Sequence, residues 1–146
     1  MAAAVLTVDD DQVFRRVLNS LLLRDAALEL IGEAENGEDA VRAAMEIRPD
    51  IVIMDVTMPR LNGLDATRKI KAGCPAVKVV ILTVHTEASY ENAALENGAD
   101  AFLPKKCLGS ELLPTVHHLL QGTQARESAI ESPRNLSRSL NPVKNL

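Results

Sequence analysis

Aromatic side chains are almost absent from this chain, which has no Trp, one Tyr and two Phe among its 146 residues. Proteins that hold single-stranded nucleic acid stack the bases on such rings. The formal net charge of -4 also disfavours contact with a phosphate backbone. The sequence therefore argues against direct nucleic-acid binding, and it requires a hydrophobic core built from aliphatic side chains.

Long apolar runs and paired cysteines are also lacking. No run approaches the roughly 18 apolar residues that a membrane span needs, and the first residues, MAAAVLTVDDD, lack the basic segment of a signal peptide. Cys74 and Cys107 show neither CxxC spacing nor nearby His ligands, so they predict free thiols rather than a zinc site or a disulfide. We expect a soluble, cytoplasmic protein with no membrane contact.

Five short aliphatic runs alternate with amphipathic stretches along the chain. The runs are residues 4–8, 28–34, 51–54, 78–83 and 101–103. Alternation of this kind is typical of βα units around a parallel sheet, and most runs are apolar on both faces, as buried strands are. The sequence predicts an α/β fold: a doubly wound, five-stranded parallel sheet of flavodoxin-like topology with strand order 2-1-3-4-5.

Five helices are predicted between and after these strands. In the first, apolar residues at helical spacing predict a single buried face; they are Val13, Phe14, Val17, Leu18, Leu21 and Leu22. Pro49 ends the second helix at or before Arg48. The fourth, residues 87–97, is Ala-rich and weakly patterned, which predicts loose packing. Ser110 is the predicted N-cap of the fifth helix, which ends at Gly122.

The composition changes after Gly122. Residues 1–122 hold all of the predicted strand-helix units and form one predicted domain of ordinary size. Residues 123–146, TQARESAIESPRNLSRSLNPVKNL, are rich in Ser, Asn, Pro and Arg and have no sustained periodicity. They predict a linker or disordered tail.

Acidic residues follow two strands that this topology makes neighbours. Asp9, Asp10 and Asp11 follow the first strand and Asp55 follows the third, so their carboxylates converge where ligands of such folds bind. Two like charges about 4 Å apart repel by roughly 4 kcal/mol at an effective dielectric of about 20, so a cation is needed. All-oxygen ligation favours Mg²⁺ over Zn²⁺. For the Asp run alone the alternative is capping of the first helix, and Asp11 is predicted to be that cap.

Two later strands end in polar residues that complete a set with these acids. Thr83 closes the fourth strand and Lys105 follows the fifth. Each alone is a weak signal, because such a Thr is usually structural and such a Lys is usually solvated. Together with the acids they supply a carboxylate nucleophile, a divalent-ion site, a hydroxyl and an ammonium group. Phosphoryl transfer to an aspartate needs this set.

Four stretches of the sequence resemble the receiver domain of two-component response regulators. They are VDDD at 8–11, DVTMPRLNG at 55–63, ILT ending at Thr83 and GADAFLPK at 98–105. Each falls at a predicted strand end, in the order typical of that family, and the resemblance spans about residues 3–122. In detail the chain is most similar to receivers that precede a LuxR-type helix-turn-helix.

The resemblance implies a role for each matching residue. Asp55 would be the phosphoacceptor. The Mg²⁺ ligands would be Asp9, Asp10, Asp55 and the backbone carbonyl of Thr57, with Asp10 more direct than Asp9. Thr83 and Lys105 would bind the phosphoryl group. Thr83 and Phe102 would form the switch, because the Phe102 ring can move when Thr83 is drawn toward the phosphoryl group.

Three positions depart from the family pattern. The residue after Lys105 is often Pro, reached through a cis peptide bond; here it is Lys106, and a cis non-Pro bond costs about 3 to 4 kcal/mol, which leaves the geometry of this bond open. Val84 stands where a small residue is common, and Phe102 replaces a frequent Tyr. Gly63, in the loop after the nucleophile, fits a tight turn that needs a positive φ.

The sequence thus predicts a phosphorylation-controlled switch rather than an enzyme. A sensor histidine kinase would phosphorylate Asp55 and change the surface of helix four, strand five and helix five, with a homodimer as one readout. Nucleic acid would be contacted only through an output domain absent from this chain. The chain is then either a single-domain regulator or a receiver cut from a longer protein within its linker, and the composition of residues 123–146 favours the second. The alternative is a haloacid-dehalogenase-like Mg²⁺-dependent phosphatase. A dinucleotide-binding enzyme is disfavoured because no GxGxxG follows the first strand.

Overall fold

A computed structural model describes the backbone of residues 2–131 and the side chains of residues 2–122. The strands are β1 (Ala3–Val8), β2 (Leu28–Ala34), β3 (Ile51–Met54), β4 (Lys78–Thr83) and β5 (Ala101–Pro104). The helices are α1 (Gln12–Leu23), α2 (Gly37–Ile47), α3 (Gly63–Gly73), α4 (Ala88–Glu96) and α5 (Leu108–Glu131). All strands pair in parallel in one sheet, in the order β2-β1-β3-β4-β5. The predicted fold class and strand order are confirmed.

The helices cover both faces of the sheet, as the apolar runs of its strands require. Side chains alternate between the faces along a strand. Val52 and Met54 of β3 join the core against α2, α3 and α4, whereas Ile51 and Ile53 join the core against α1 and α5. These four side chains are fully buried. Burial of aliphatic surface on both faces is the main stabilising contribution, at roughly 25 cal/mol per Å².

The buried face of α1 differs from the predicted one. Val13 and Val17 are 72% and 52% exposed, whereas Arg15 and Asn19 face the sheet and are buried. The prediction of a single apolar face was therefore wrong at the two valines. The reason is that the sheet offers polar partners at this point: Thr7 Oγ1 of β1 donates to Asn19 Oδ1 at 2.9 Å, and carboxylates at the end of β2 face the arginine.

Helix α5 begins earlier and ends later than the sequence predicts. A 3₁₀ turn at Lys105–Cys107 leads directly into it, and the Leu108 N–H donates to the Lys105 carbonyl. Because the helix begins at Leu108, Ser110 lies inside its first turn and is not the N-cap. The helix continues past Gly122 to Glu131, since a helical Gly costs only about 1 kcal/mol relative to Ala. The linker or tail prediction for 123–146 stays a prediction, and residues 132–146 lie outside the described residues.

Helix α4 is weakly held along most of its length, consistent with its weak apolar pattern. Its N-cap residue, Glu87, makes no side-chain capping hydrogen bond, and Ala94 near the other end is its one buried residue. The C-terminal end is fixed more firmly. Ala99 N donates to the Ala94 carbonyl at 3.0 Å, and Lys71 of α3 forms a 3.0 Å ion pair with Asp100.

Membrane spans and disulfides do not occur in the part of the chain that the structure describes. Within residues 2–131 no helix is both long and apolar enough to cross a bilayer. Both cysteines are free; Cys74 is buried, and Cys107 lies in the 3₁₀ turn before α5.

The register of α1 can be tested by two neighbouring substitutions. Val17→Ser removes apolar surface that is already in water, so it should change the free energy of unfolding by less than about 0.5 kcal/mol. Leu18→Ala, at a side chain that is 1% exposed, should lower it by about 2 to 5 kcal/mol. Urea denaturation measures both. Similar losses at the two positions would contradict the buried face described here.

Candidate functional site

Three carboxylates meet at the carboxyl edge of the sheet, at the strand ends where the sequence predicts a site. Asp9 and Asp10 follow β1 and Asp55 follows β3, and the two strands pair with Val8 beside Met54. One carboxylate oxygen from each aspartate lies within 4.8 Å of the others. Asp9 and Asp55 are buried, whereas Asp10 faces solvent. The cluster therefore has an enclosed side and an open side.

Asp11 does not join this cluster, because it caps α1. Its Oδ1 accepts from the Phe14 N–H at 3.1 Å, which confirms the predicted N-cap. Its own N–H donates to Asp9 Oδ1 at 2.9 Å. The alternative interpretation of the acidic run as helix capping therefore holds for Asp11 alone.

Lys105 places a cation among the buried acids. Its Nζ lies 2.8 Å from Asp9 Oδ2 and 3.4 Å from Asp55 Oδ2. The other Asp55 oxygen, Oδ1, accepts from the Val56 N–H at 2.8 Å. Both oxygens of the predicted nucleophile are thus held by donors, with the ammonium closer to Asp9 than to Asp55.

The burial of these charges shifts their protonation. Burial raises the pKa of the Asp55 carboxyl, and the negative charge of Asp9 raises it further, although the Lys105 ammonium opposes both. Burial lowers the pKa of the Lys105 ammonium, but hydrogen bonds and charges from Asp9 and Asp55 outweigh this and leave the pKa raised. The lysine therefore remains a cation, and the Asp55 carboxylate is more basic than a solvated one as long as no metal ion is bound.

Thr83 lies at the same edge, at the end of β4 and fully buried. Its Oγ1 accepts from the His85 N–H at 3.0 Å, and the His85 ring stacks on the Tyr90 ring of α4 with 4.9 Å between centroids. In the pairing of β4 with β5, Ile81 lies beside Phe102, so Thr83, two residues beyond Ile81, points to the same face as Phe102. The half-buried Phe102 packs against the core on that face.

The loop after Asp55 holds Thr57 in an exposed position and turns back sharply at Gly63. The expectation that Gly63 has a positive φ was wrong, since the positive φ in this loop belongs to Arg60, at 66°. Gly63 is required for a different reason. Its N–H donates to the Val56 carbonyl at 2.7 Å, and a Cβ on Gly63 would overlap the carbonyl oxygen of Asp55.

The two other departures from the family pattern are also placed by the structure. No cis peptide bond occurs in the described residues, so the bond between Lys105 and Lys106 is trans. Val84 is 69% exposed beyond the end of β4.

Sequence reasoning missed a polar network behind the acid pair, Asp9 and Asp10, in which the buried Arg15 and Asn19 meet the exposed Glu33 and Glu35. The Arg15 guanidinium donates to the backbone carbonyl of Asp9 and pairs with Glu33 at 2.7 Å and Glu35 at 3.2 Å. Asn19 also donates to Glu33, at 2.8 Å. The hydrogen bond from Arg15 holds the pKa of the Glu33 carboxyl below its usual range. The network ties the end of β1 to the end of β2 and so fixes the backbone from which the acid pair projects.

One signal in the sequence could have revealed this network. Arg15 and Asn19 lie one helical turn apart, at the spacing of a continuous face, and they interrupt the apolar pattern of α1. Glu33 lies near the end of the strand beside β1. A polar pair on a helix opposite an acid on the strand beneath it predicts an ion pair more specifically than either feature alone.

The cluster fits a small, hard divalent cation. Its ligand atoms are carboxylate oxygens without His or Cys, and Lys105 is the one cation that contacts Asp9 and Asp55 among the described residues. Two acids contribute from the enclosed side, and Asp10 leaves the solvent side open for water. This combination matches the oxygen-rich, partly hydrated coordination that Mg²⁺ prefers.

The fold and this cluster define a flavodoxin-like α/β domain with its polar site at the switch point of the sheet, between β1 and β3. Comparison with known families makes the assignment specific. The chain matches the response regulator receiver domain over residues 5–117, and it belongs to that family. Such receivers are signalling domains of two-component systems, they bind Mg²⁺ at an acidic pocket, and histidine kinases phosphorylate them.

Curated relatives are transcription and response regulators. The chain is 34% identical over 118 residues to the transcriptional regulatory protein DegU of Brevibacillus brevis, covering 81% of this chain and 50% of that protein. It is 35% identical over 133 residues to the response regulator UvrY of Escherichia coli, covering 91% of this chain and 61% of that protein. The chain spans about half to three fifths of the length of these relatives.

Solved structures give the same assignment. A LuxR-family two-component response regulator from an Aurantimonas species has a TM-score of 0.80 and 31% identity, covering 84% of this chain and 87% of that one. The response regulator domain of Thermotoga maritima CheB has a TM-score of 0.76 and 28% identity, covering 85% and 98%. The predicted resemblance to receivers of the LuxR type is confirmed.

The raised pKa of Asp55 has a consequence for stability in the absence of divalent cations. The stabilisation associated with its neutral form is complete below the unfolded pKa of about 3.9 and is lost as the pH rises through the folded value. Asp55→Asn should therefore unfold at higher urea concentration than the wild type at neutral pH, and the difference should shrink as the pH falls. Measurements in EDTA test this. Glu96→Gln, at an exposed residue of α4, should show no such trend, and a less stable Asp55→Asn at neutral pH would contradict the expectation.

Proposed function

We propose that Asp55 accepts a phosphoryl group from the phosphohistidine of a sensor histidine kinase and that the chain acts as a signalling switch. The observation that carries the proposal is the buried Asp55 carboxylate beside Lys105 and within 4.8 Å of the acid pair. A buried aspartate with a purely structural role is normally neutralised by a cation of its own. Among the described residues, Asp55 instead shares the one cation that contacts it with a second buried carboxylate, Asp9.

The transfer itself is a simple exchange of bonds. An Asp55 carboxylate oxygen attacks phosphorus while the bond between phosphorus and the kinase imidazole breaks, which leaves an acyl phosphate and a free imidazole. Lys105 and the hydroxyl of Thr83 bind the phosphoryl oxygens. Mg²⁺ would be held by Asp9, Asp10, Asp55 and the Thr57 carbonyl. The ion, when bound, offsets the repulsion between the carboxylate and the incoming phosphoryl group.

The switch works through Thr83 and Phe102. The Thr83 hydroxyl is held by the His85 N–H alone among the described residues, and a phosphoryl group on Asp55 offers it a charged partner, which makes a stronger hydrogen bond. Movement of Thr83 frees space on the face it shares with Phe102. The ring then turns inward, and the surface of α4, β5 and α5 changes. The chain turns over no substrate in this role.

The partners follow from this role and from the relatives. A sensor histidine kinase is the phosphodonor, and the altered surface supports a homodimer. Several relatives are named as transcriptional or DNA-binding regulators, so contact with nucleic acid would come through an output domain outside residues 1–122, with 123–146 as the linker. We assign the chain to the cytoplasm, where such kinases present their phosphohistidine.

The phosphatase alternative gains no support. A haloacid-dehalogenase nucleophile follows the first strand of its sheet, whereas the similar run Asp55-Val56-Thr57 follows β3. That interpretation also leaves Asp9 and Asp10 without a role, and the family match favours a receiver.

Phosphorylation of Asp55 is tested with a small donor. Incubation with acetyl phosphate and Mg²⁺ should add one phosphoryl group that hydroxylamine removes, as an acyl phosphate requires, and intact mass spectrometry counts it. Asp11→Asn should still be labelled, because Asn is as good an N-cap as Asp. Stoichiometric labelling of Asp55→Asn would contradict the assignment of Asp55 as the phosphoacceptor.

Asp10 and Asp11, the two exposed acids of the run, should differ in their effect on Mg²⁺ binding. Asp10→Ala should weaken Mg²⁺ binding by at least about tenfold, since even groups that only orient a ligand cost that much. Asp11→Ala should lower the free energy of unfolding by about 1 kcal/mol through loss of the cap and change Mg²⁺ affinity far less. Isothermal titration and urea denaturation measure the two effects. Equal losses of Mg²⁺ affinity would mean that the ion lies elsewhere.

A further inference from the structure

Phe14 places an aromatic ring at the acidic cluster, in a chain with one other Phe and no Trp. It stands in the first turn of α1, where its N–H is fixed by the Asp11 cap at 3.1 Å. Its ring is half-buried and packs against the core beneath α1 and α5. The Lys105 Nζ lies over this ring, 4.3 Å from its centroid.

The Lys105 ammonium is therefore enclosed on three sides. Asp9 Oδ2 lies at 2.8 Å, Asp55 Oδ2 at 3.4 Å, and the Phe14 ring closes the side toward α1. The lysine side chain is only 13% exposed. Few water molecules can reach the ammonium, which is the condition under which attraction between a cation and a ring face is strongest.

The ring and the carboxylates act on the ammonium in different ways. A carboxylate fixes the ammonium through short hydrogen bonds with defined directions, whereas the quadrupole of a ring attracts it over a broad area of the face. An ammonium over a ring can therefore shift from one oxygen to another and keep its contact with the ring face. Moving from Asp9 toward a phosphoryl oxygen on Asp55 is such a shift.

We infer that Phe14 is a positioning residue for phosphoryl transfer: its ring holds the Lys105 ammonium beside Asp55 while the lysine exchanges Asp9 for the phosphoryl group. The inference rests on the proposed phosphorylation of Asp55 and adds to it a residue to which neither the family match nor the sequence motifs give a role. Phe14 acts through Lys105, which is the residue of the cluster whose contact with the ring the structure shows.

This role predicts opposite effects on phosphorylation and on metal binding. Without the ring, the ammonium spends more time away from Asp55, so phosphorylation by acetyl phosphate slows. The same ammonium competes for Asp9 with any cation bound there, so its release leaves Mg²⁺ affinity unchanged or higher. If the ring only supported the packing of the residues around Asp9 and Asp10, its loss would weaken Mg²⁺ binding and phosphorylation together.

The experiment compares Phe14→Leu, Phe14→Trp and pentafluorophenylalanine introduced at position 14. Leucine keeps the apolar volume without a ring, and the fluorinated ring keeps the shape but reverses the sign of its face. Both should slow phosphorylation by acetyl phosphate at saturating Mg²⁺ about 5- to 30-fold, the range expected for a desolvated cation over a ring, while Trp should restore it. Because the fluorinated variant keeps the volume and shape of the ring, the test survives if the leucine variant folds poorly.

Two further measurements isolate the contact. In a Lys105→Met background, Phe14→Leu should have no additional effect on phosphorylation. Solvent exchange of the Lys105 ammonium protons, followed by NMR without donor or Mg²⁺, should be faster in Phe14→Leu than in the wild type. Leu21→Ala, a truncation on the same helix against the same core, should lower stability and leave both readouts unchanged.

Four results would overturn the inference: an unchanged phosphorylation rate in the leucine and fluorinated variants, no rescue by Trp, parallel loss of Mg²⁺ affinity, or an undiminished effect in the Lys105→Met background. A wild-type protein that takes no phosphoryl group would overturn the proposed function instead, and the ammonium exchange would still decide whether the ring holds the lysine.

Discussion

Repulsion between like charges at the edge of the sheet is the constraint on which the rest of this molecule depends. Asp9, Asp10 and Asp55 hold their carboxylates within 4.8 Å of one another, two of them buried. Left to themselves, these groups would separate or take up protons. The parallel pairing of β1 with β3, buried on both faces, prevents the carboxylates from separating. The Lys105 ammonium, which follows the edge strand β5, limits their protonation.

The neighbouring cation, Arg15, shows why that balance remains incomplete. The guanidinium lies directly behind the acid pair, but its charge is already matched by Glu33 and Glu35, so it orders the backbone of Asp9 without neutralising the cluster. Only Lys105 offsets the carboxylates among the described residues. The cluster is therefore rigid and still short of positive charge, and both properties favour capture of a divalent cation and a phosphoryl group.

The sequence was informative where structure depends on local pattern and on topology. The apolar runs gave the strands within a residue or so, and the strand order alone brought Asp9 and Asp55 together. It was uninformative where a residue's environment depends on a distant partner. Arg15 and Asn19 are buried because Thr7 of β1 and Glu33 of β2 lie opposite them as hydrogen-bond partners, and Gly63 is required because the loop returns to the Asp55 carbonyl. The spacing of Arg15 and Asn19 indicates a polar face on the helix, but it does not identify the partners on other elements, and the return of the loop to Asp55 has no counterpart in local spacing. The start of α5 was misplaced because a 3₁₀ turn replaced the expected side-chain cap.

Helix α4 is attached more firmly at one end than at the other. Its C-terminal end is anchored by buried Ala94 and by the pairing of Lys71 with Asp100, so that end is the more rigid one. The opposite end has no side-chain cap and is held mainly by Tyr90, which packs against the core and stacks on His85, two residues after Thr83. A displacement near Ala94 would be absorbed by the packing there, whereas the same displacement at Tyr90 would tilt the helix about its anchored end. Through His85 and Tyr90, the helix is thus connected to the site at its less firmly packed end.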